Sequence, residues 1–217
     1  VLKNSYFLTL ILFFTSCSIL FPDGVAFEIP DYSFSYQTFN RRLDYNGKKY
    51  LLNPTQFGET NYNNSSNLDV VVQFFKNKLG TNVTLKKDFK DTNDKLLIPF
   101  IINYDFSNEK MDYLHKNTNL NYIILTKILY LNDVENKPLN NIHKKKMYYA
   151  KAGAVSFIKI VDVKNGETVL EVNCTGKVSK PDDRDFDTGE IKHRLNLHKG
   201  SYSLGKKTIK KLLKKIK

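Results

Sequence analysis

Apolar and polar positions alternate along two stretches of the chain, and the turn between them carries Lys164-Asn165-Gly166. Tyr149 to Val178 therefore reads as two antiparallel strands joined by a tight loop, since Asn-Gly between Val- and Ile-rich runs is a strong hairpin signal. The alternation also sets the register. A two-residue Asn-Gly loop would put Lys159 opposite Val172, a charge on the apolar face. A three-residue loop with a left-handed Gly166 pairs Val163 with Glu167 instead. Ile160 then faces Leu170, Ile158 faces Val172, Ser156 faces Cys174 and Ala154 faces Gly176. On the opposite face Lys159 meets Glu171, a favourable cross-strand pair. The apolar pattern selects this second register and a bulged loop.

Tyr50 to Phe57 predicts a first strand interrupted at Pro54, a residue that marks a strand end or an edge. Leu68, Val71, Val72, Phe75 and Leu79 recur at helical spacing, with Ser65 or Ser66 as the expected cap, Asp69 in the first turn and Gly80 at the end. Val83 to Phe89 alternates as a short strand, and Lys86 to Lys95 reads as a polar loop. Ser107 is the expected cap of a helix over residues 108–116, with Met111 and Leu114 inward. Tyr122 to Leu131 is the most β-like run and is apolar on both faces at its start, as a central covered strand should be. Asn132 to Lys146 and Ser179 to Tyr202 read as polar excursions. Leu204 to Lys217 predicts an amphipathic closing helix, with Ile209, Leu212, Leu213 and Ile216 on one stripe. Helices among strands, then a hairpin, then a helix, imply a single-domain α/β sandwich with a mixed sheet over residues 47–217.

The chain's start has a different character. Lys3 supplies a basic region, and Tyr6 to Phe14 is an apolar run too short to span a bilayer. Thr15 and Ser16 are small, and Cys17 follows. Residues 1–16 read as a secretory signal peptide, and Phe14-Thr15-Ser16-Cys17 is similar to a bacterial lipobox, in which the cysteine is acylated. A plain signal peptide is the alternative. Residues 17–46 then form a tether and lead-in, whose aromatics Phe27, Tyr32, Phe34, Tyr36 and Phe39 fold over the domain or add an edge strand. Cys174 has no partner if Cys17 carries lipid; a Cys17–Cys174 disulfide is the other arrangement. Ser18 follows the cysteine where an aspartate would mark inner-membrane retention, so the expected location is the outer membrane, facing the periplasm.

Three stretches carry a resemblance. Asn119-Leu120-Asn121-Tyr122-Ile123-Ile124 enters a central strand. Val155 to Val163, then Asn165-Gly166-Glu167-Thr168-Val169-Leu170, makes the hairpin. The last helix carries Ile209, Leu212 and Leu213. Together they resemble periplasmic lipoproteins of the curli-secretion lipoprotein family, whose domain is similar to the amino-terminal domain of the Tol-system propeller protein. The resemblance implies a lipid-anchored envelope protein that acts by protein binding or assembly, with an envelope partner or a second copy.

Little in the sequence points to catalysis. His115, His143, His193 and His198 show no metal-ligand spacing. Asp183 to Gly189 is acidic but misplaces the glycine of a calcium loop and has Arg194 where the last ligand should stand. No phosphate loop, dinucleotide fingerprint or nucleophile elbow occurs. No cofactor, metal or enzyme activity is expected, although an exported ligand-binding protein or hydrolase remains the alternative; a cleft of clustered polar side chains would favour the enzyme, and a flat apolar or basic face would favour assembly. The charge is the remaining signal. Formal net charge is +12. Lys206, Lys207, Lys210, Lys211, Lys214 and Lys215 form one face of the closing helix and are candidate contacts with anionic lipid. Export argues against nucleic acid as the polyanion.

Overall fold

The computed structural model describes residues 23–39, 42–44, 46–58, 65–105, 107–138, 140–180, 184 and 187–217. Its centre is the predicted hairpin. Strands β8 (Ala150–Asp162) and β9 (Thr168–Ser179) pair antiparallel, with Ala154 opposite Gly176, Ser156 opposite Cys174, Ile158 opposite Val172, Lys159 opposite Glu171 and Ile160 opposite Leu170. The loop differs from expectation by one residue. Asp162 N donates to Glu167 O, so Val163 does not pair with Glu167, and a bulge at Val169 absorbs the slip as Val161 moves opposite Thr168. Two local forces explain the change. The Asp162 carboxylate accepts from the backbone N–H groups of Lys164 and Asn165, an Asx turn. Val163 leaves the ladder, becomes fully buried and donates to Asn121 O. Gly166 is left-handed as expected (φ 69°).

β7 (Tyr122–Tyr130) lies beside β8 and is buried throughout its middle. On its other side run β3 (Tyr50–Leu52) and β4 (Thr55–Phe57), both parallel to it. Asn53-Pro54 interrupts the strand as predicted, but the site is interior rather than an edge, because β6 (Val83–Leu85) continues the sheet beyond β3. β5 (Ser65–Ser66) pairs with β4, so neither serine caps the next helix. That helix, α1 (Asp69–Leu79), starts one turn later behind Leu68 without a side-chain cap, and ends at a left-handed Gly80. The lead-in joins the same sheet. β2 (Asp31–Tyr36) pairs antiparallel with β9, which sets Tyr32, Phe34 and Tyr36 onto the core, while Phe27 and Phe39 stay exposed. A separate two-stranded ribbon joins β1 (Val25–Phe27) to β10 (Leu195–Leu197), inside the segment read as loop.

Helices cover both faces. α1 and the closing helix α5 (Ser201–Leu213) lie on one face, over Ile124, Ile128, Ile158, Ile160, Leu170, Val172 and Cys174. The predicted stripe Ile209, Leu212, Leu213 and Ile216 is buried there, and each such side chain contributes about 1.5–3 kcal/mol relative to exposure. α5 sits unusually close. A Cβ on Gly205 would come within 3.0 Å of the Tyr130 ring, and one on Gly176 within 2.7 Å of Thr208. On the other face α2 (Asn108–Asn117) buries Met111 and Leu114 against Ile123, Leu125, Val161 and Val163. The stretch read as a polar excursion there holds two short helices, α3 (Leu131–Glu135) and α4 (Ile142–Met147). Their periodicity is too brief to register, but α3 is tied down by Tyr130 N donating to Asp133 Oδ2, and Asn141 caps α4 by accepting from His143 N and Lys144 N.

Candidate functional site

The expected lysine face forms as predicted. The stripe that buries Ile209, Leu212 and Leu213 turns Lys206, Lys207, Lys210 and Lys211 outward, and Lys214 and Lys215 continue the row just past the helix. Among the described residues none of the six pairs with a carboxylate. Three lie over aromatic rings instead: Lys211 over Tyr32, Lys215 over Phe34 and Lys206 over Tyr202, at 4.4, 5.0 and 4.6 Å from the centroids. Positive charge is crowded enough that Lys199 lowers the pKa of Lys207 by contact and repulsion. The ribbon before α5 exposes Phe27, Ile29 and Leu197 around a depression shared with His198 and Lys199. Cys17 lies outside the described residues. Cys174 is buried and free, with its thiol pushed up to about 11 by burial. His115, His193 and His198 are exposed and separate in the chain, and among the described residues no group of side chains could hold a metal ion. The acidic stretch from Asp183 falls mostly outside the described residues.

A second cluster was not visible in the sequence. From Leu170 onward β9 alternates, so Glu171, Asn173 and Thr175 point away from the α5 face. The ladder aligns them with side chains of the neighbouring strands. Lys127, Phe157, Asn173 and Ser35 form one row across β7, β8, β9 and β2, and Lys159 and Glu171 stand in the next. Tyr104 and Asp105 close one end, and Val134, Asn141 and His143 from α3 and α4 close the other, around a groove of about 320 Å³.

The groove is charged and largely shielded from water. Lys127 is 5 % exposed and Asn173 2 %. Asp105 lies between two ammonium groups, 3.5 Å from Lys127 Nζ and 3.6 Å from Lys159 Nζ, and is itself mostly exposed. Glu171 sits 3.7 Å from Lys159 Nζ and accepts a 2.8 Å hydrogen bond from Tyr104 Oη. Lys159 also lies 4.3 Å from the centre of the Tyr104 ring. Burial, then Glu171, raises the Tyr104 pKa far above its ordinary value, so the phenol stays a donor. Burial, then Lys146, lowers the pKa of His143, which meets Phe157 edge-on and stays neutral at neutral pH. Three buried polar atoms on this side, Asn173 Oδ1, Thr175 Oγ1 and His143 Nδ1, have no hydrogen-bond partner within the described protein. The alternation of β9 signals a polar face, but it does not reveal that α4 would cover it.

No family model matches the chain. No curated protein matches it either. Two solved structures are similar over 87 % of this chain: PelC from Paraburkholderia phytofirmans, a dodecamer, at 9 % identity and a TM-score of 0.38 over 97 % of its length, and a point variant of the same dodecamer at 10 % identity and 0.37 over 98 %. A likeness that loose defines neither partners nor activity for this chain. Among the described residues no helix is long and apolar enough to cross a membrane.

Proposed function

We propose that this chain is a non-enzymatic, lipid-anchored cell-envelope protein that acts by protein binding or assembly at the periplasmic face of the outer membrane. The observation that carries the reading is the lysine face: four outward lysines on a helix whose opposite side is buried, and two more that continue the row just past it, without carboxylate partners among the described residues. A face so patterned suits an anionic surface, where each basic residue near a charged bilayer contributes about 1 kcal/mol. Acylated Cys17 supplies the anchor, since two acyl chains hold where one is marginal. The stretch from Cys17 to Phe27 reaches at most about 35 Å when extended, which keeps the exposed Phe27 and Ile29 near the lipid. The hairpin and closing helix that carry the resemblance to the curli-secretion lipoprotein family are consistent with the same role.

Two measurements test this reading. Cys17→Ser should move the protein from membrane to soluble fractions; retention without lipid label would refute the anchor. In protein without acyl chains, replacing Lys207, Lys211 and Lys214 by Gln should weaken binding to vesicles containing anionic phospholipid, with a difference that fades as salt rises. Equal binding at low salt would reduce the lysines to a solvated face.

The groove favours the second reading, an exported ligand-binding protein. Among the described residues no serine or cysteine side chain hydrogen-bonds to a histidine, so a hydrolase built on a Ser–His or Cys–His pair is not the version it supports.

A further inference from the structure

We propose that the groove between α4 and the Tyr104–Asp105 loop binds a small hydroxylated carboxylate, about the size of one sugar acid. The proposal is independent of the membrane anchor and of the lysine face on the other side of the sheet.

The first argument is charge. Lys127 and Lys159 both reach Asp105, at 3.5 and 3.6 Å, and Lys159 also reaches Glu171 at 3.7 Å, distances of ion pairs rather than of close hydrogen bonds. Asp105 is 72 % exposed, so water weakens its hold on both. Lys137 lines the same groove. A second carboxylate entering the groove would meet two ammonium groups that are mostly removed from water, where a charge-assisted bond is strongest.

The second argument is the set of orphaned polar atoms. Asn173 Oδ1, Thr175 Oγ1 and His143 Nδ1 are buried on one side of the sheet without protein partners. Buried polar groups of folded proteins are overwhelmingly hydrogen-bonded, because leaving one unsatisfied is costly. Asn173 and His143 line the groove itself. Asn173 Oδ1 accepts only, and neutral His143 can accept or donate. Hydroxyl groups answer both needs; an anion that only accepts leaves Asn173 Oδ1 unanswered. Phe157, half-buried beside Asn173 in the sheet and against His143, offers an apolar surface for the C–H face of a sugar ring. The volume, about 320 Å³, lies at the small end of the roughly 300–1,000 Å³ typical of ligand pockets, which suits one monosaccharide-sized molecule.

The test is calorimetric titration of the purified protein, in detergent where it carries acyl chains, with three probes: sodium glucuronate, glucose and sodium acetate. Saturable binding of glucuronate in the millimolar range or tighter, with glucose and acetate at least about tenfold weaker, is the expected result. Asp105→Asn removes the carboxylate shared by both lysines from an exposed position, leaving Glu171 on Lys159 alone, and should tighten glucuronate binding. Lys127→Met keeps the side-chain stem and should weaken it by about tenfold or more. A circular dichroism melt confirms that each variant folds, and Asp105→Asn carries the test if Lys127→Met does not. No saturable binding of glucuronate to about 20 mM would overturn the proposal. So would equal binding of glucose or acetate, or an Asp105→Asn protein that binds no tighter.

Discussion

The β8–β9 hairpin presents two faces, and the two are built on different terms. The face under α5 is filled by Ile158, Ile160, Leu170, Val172 and Cys174. Its principal polar pair is matched: Ser156 Oγ and Thr208 Oγ1 lie 2.7 Å apart, and Thr208 Oγ1 donates to Gly205 O. The hydroxyl of Tyr32, near its edge, is the exception. The face under α4 buries Asn173, Thr175 and Lys127, with Lys159 partly buried, beside Tyr104 and Phe157, and leaves three polar atoms unmatched. Burial of apolar area drives the first face, and any residue of that pattern helps. The second face also buries Leu129, Val134, Met147 and Val155, but its polar row loses wherever a polar atom lacks a partner. A domain that keeps such a face covered is giving up stability there, which is the expected signature of a place that does something else.

The comparison breaks most severely at Leu212. It is fully buried under α5, so Leu212→Asp should cost about 4 kcal/mol in urea unfolding, enough to unfold a marginal domain. A harmless substitution would mean that α5 does not hold the sheet.

A smaller effect is expected from pH on the other face. His143 is held below its ordinary pKa by burial and by Lys146, while the unfolded chain titrates near 6.5. Between those two values the unfolded state binds more protons. Stability should therefore be unaffected above about pH 6.5 and fall as pH drops through the window below it. Lys127 and Lys137 in the same groove oppose the imidazolium, and Asp105 and Glu171 favour it. His143→Gln should flatten that part of the pH profile; an unchanged slope would show that the imidazole titrates as it does in the unfolded chain.

The smallest effect should come from the lysine row. Replacing Lys207, Lys211 and Lys214 by Gln should alter stability by no more than about 0.5 kcal/mol, since these side chains are exposed and unpaired with carboxylates among the described residues. A larger loss would make the contacts with Tyr32 and its neighbours structural.

The same contrast explains what could be read from the residues alone. Period-two and helical patterns announce elements with an apolar side, so the hairpin register, β7 and the stripe of α5 were legible. The loop of the hairpin slipped by one residue because Asp162 and Val163 found better partners than the ladder offered. α3 and α4 escaped notice because five or six residues make too short a period, and Pro138 between them suggested a loop. Ser65 and Ser66 look like caps locally, but the sheet claims them first. The lysine row was readable because it shares the period of α5. The groove was not. Its members come from β7, β8, β9, α4 and the loop before α2, and only the fold gathers them.

The central claim is that the face under α4 is kept for binding and not for stability, and Asn173 tests it most directly. Asn173→Leu is nearly isosteric, removes the orphaned Oδ1 and lies 2 % exposed at the centre of the polar row. Urea unfolding of this variant, with and without sodium glucuronate, is the measurement. The account predicts a protein as stable as the parent or up to about 1 kcal/mol more stable, with the stabilisation by glucuronate lost. A loss of about 2 kcal/mol or more, with glucuronate still protecting the variant as it protects the parent, would contradict it.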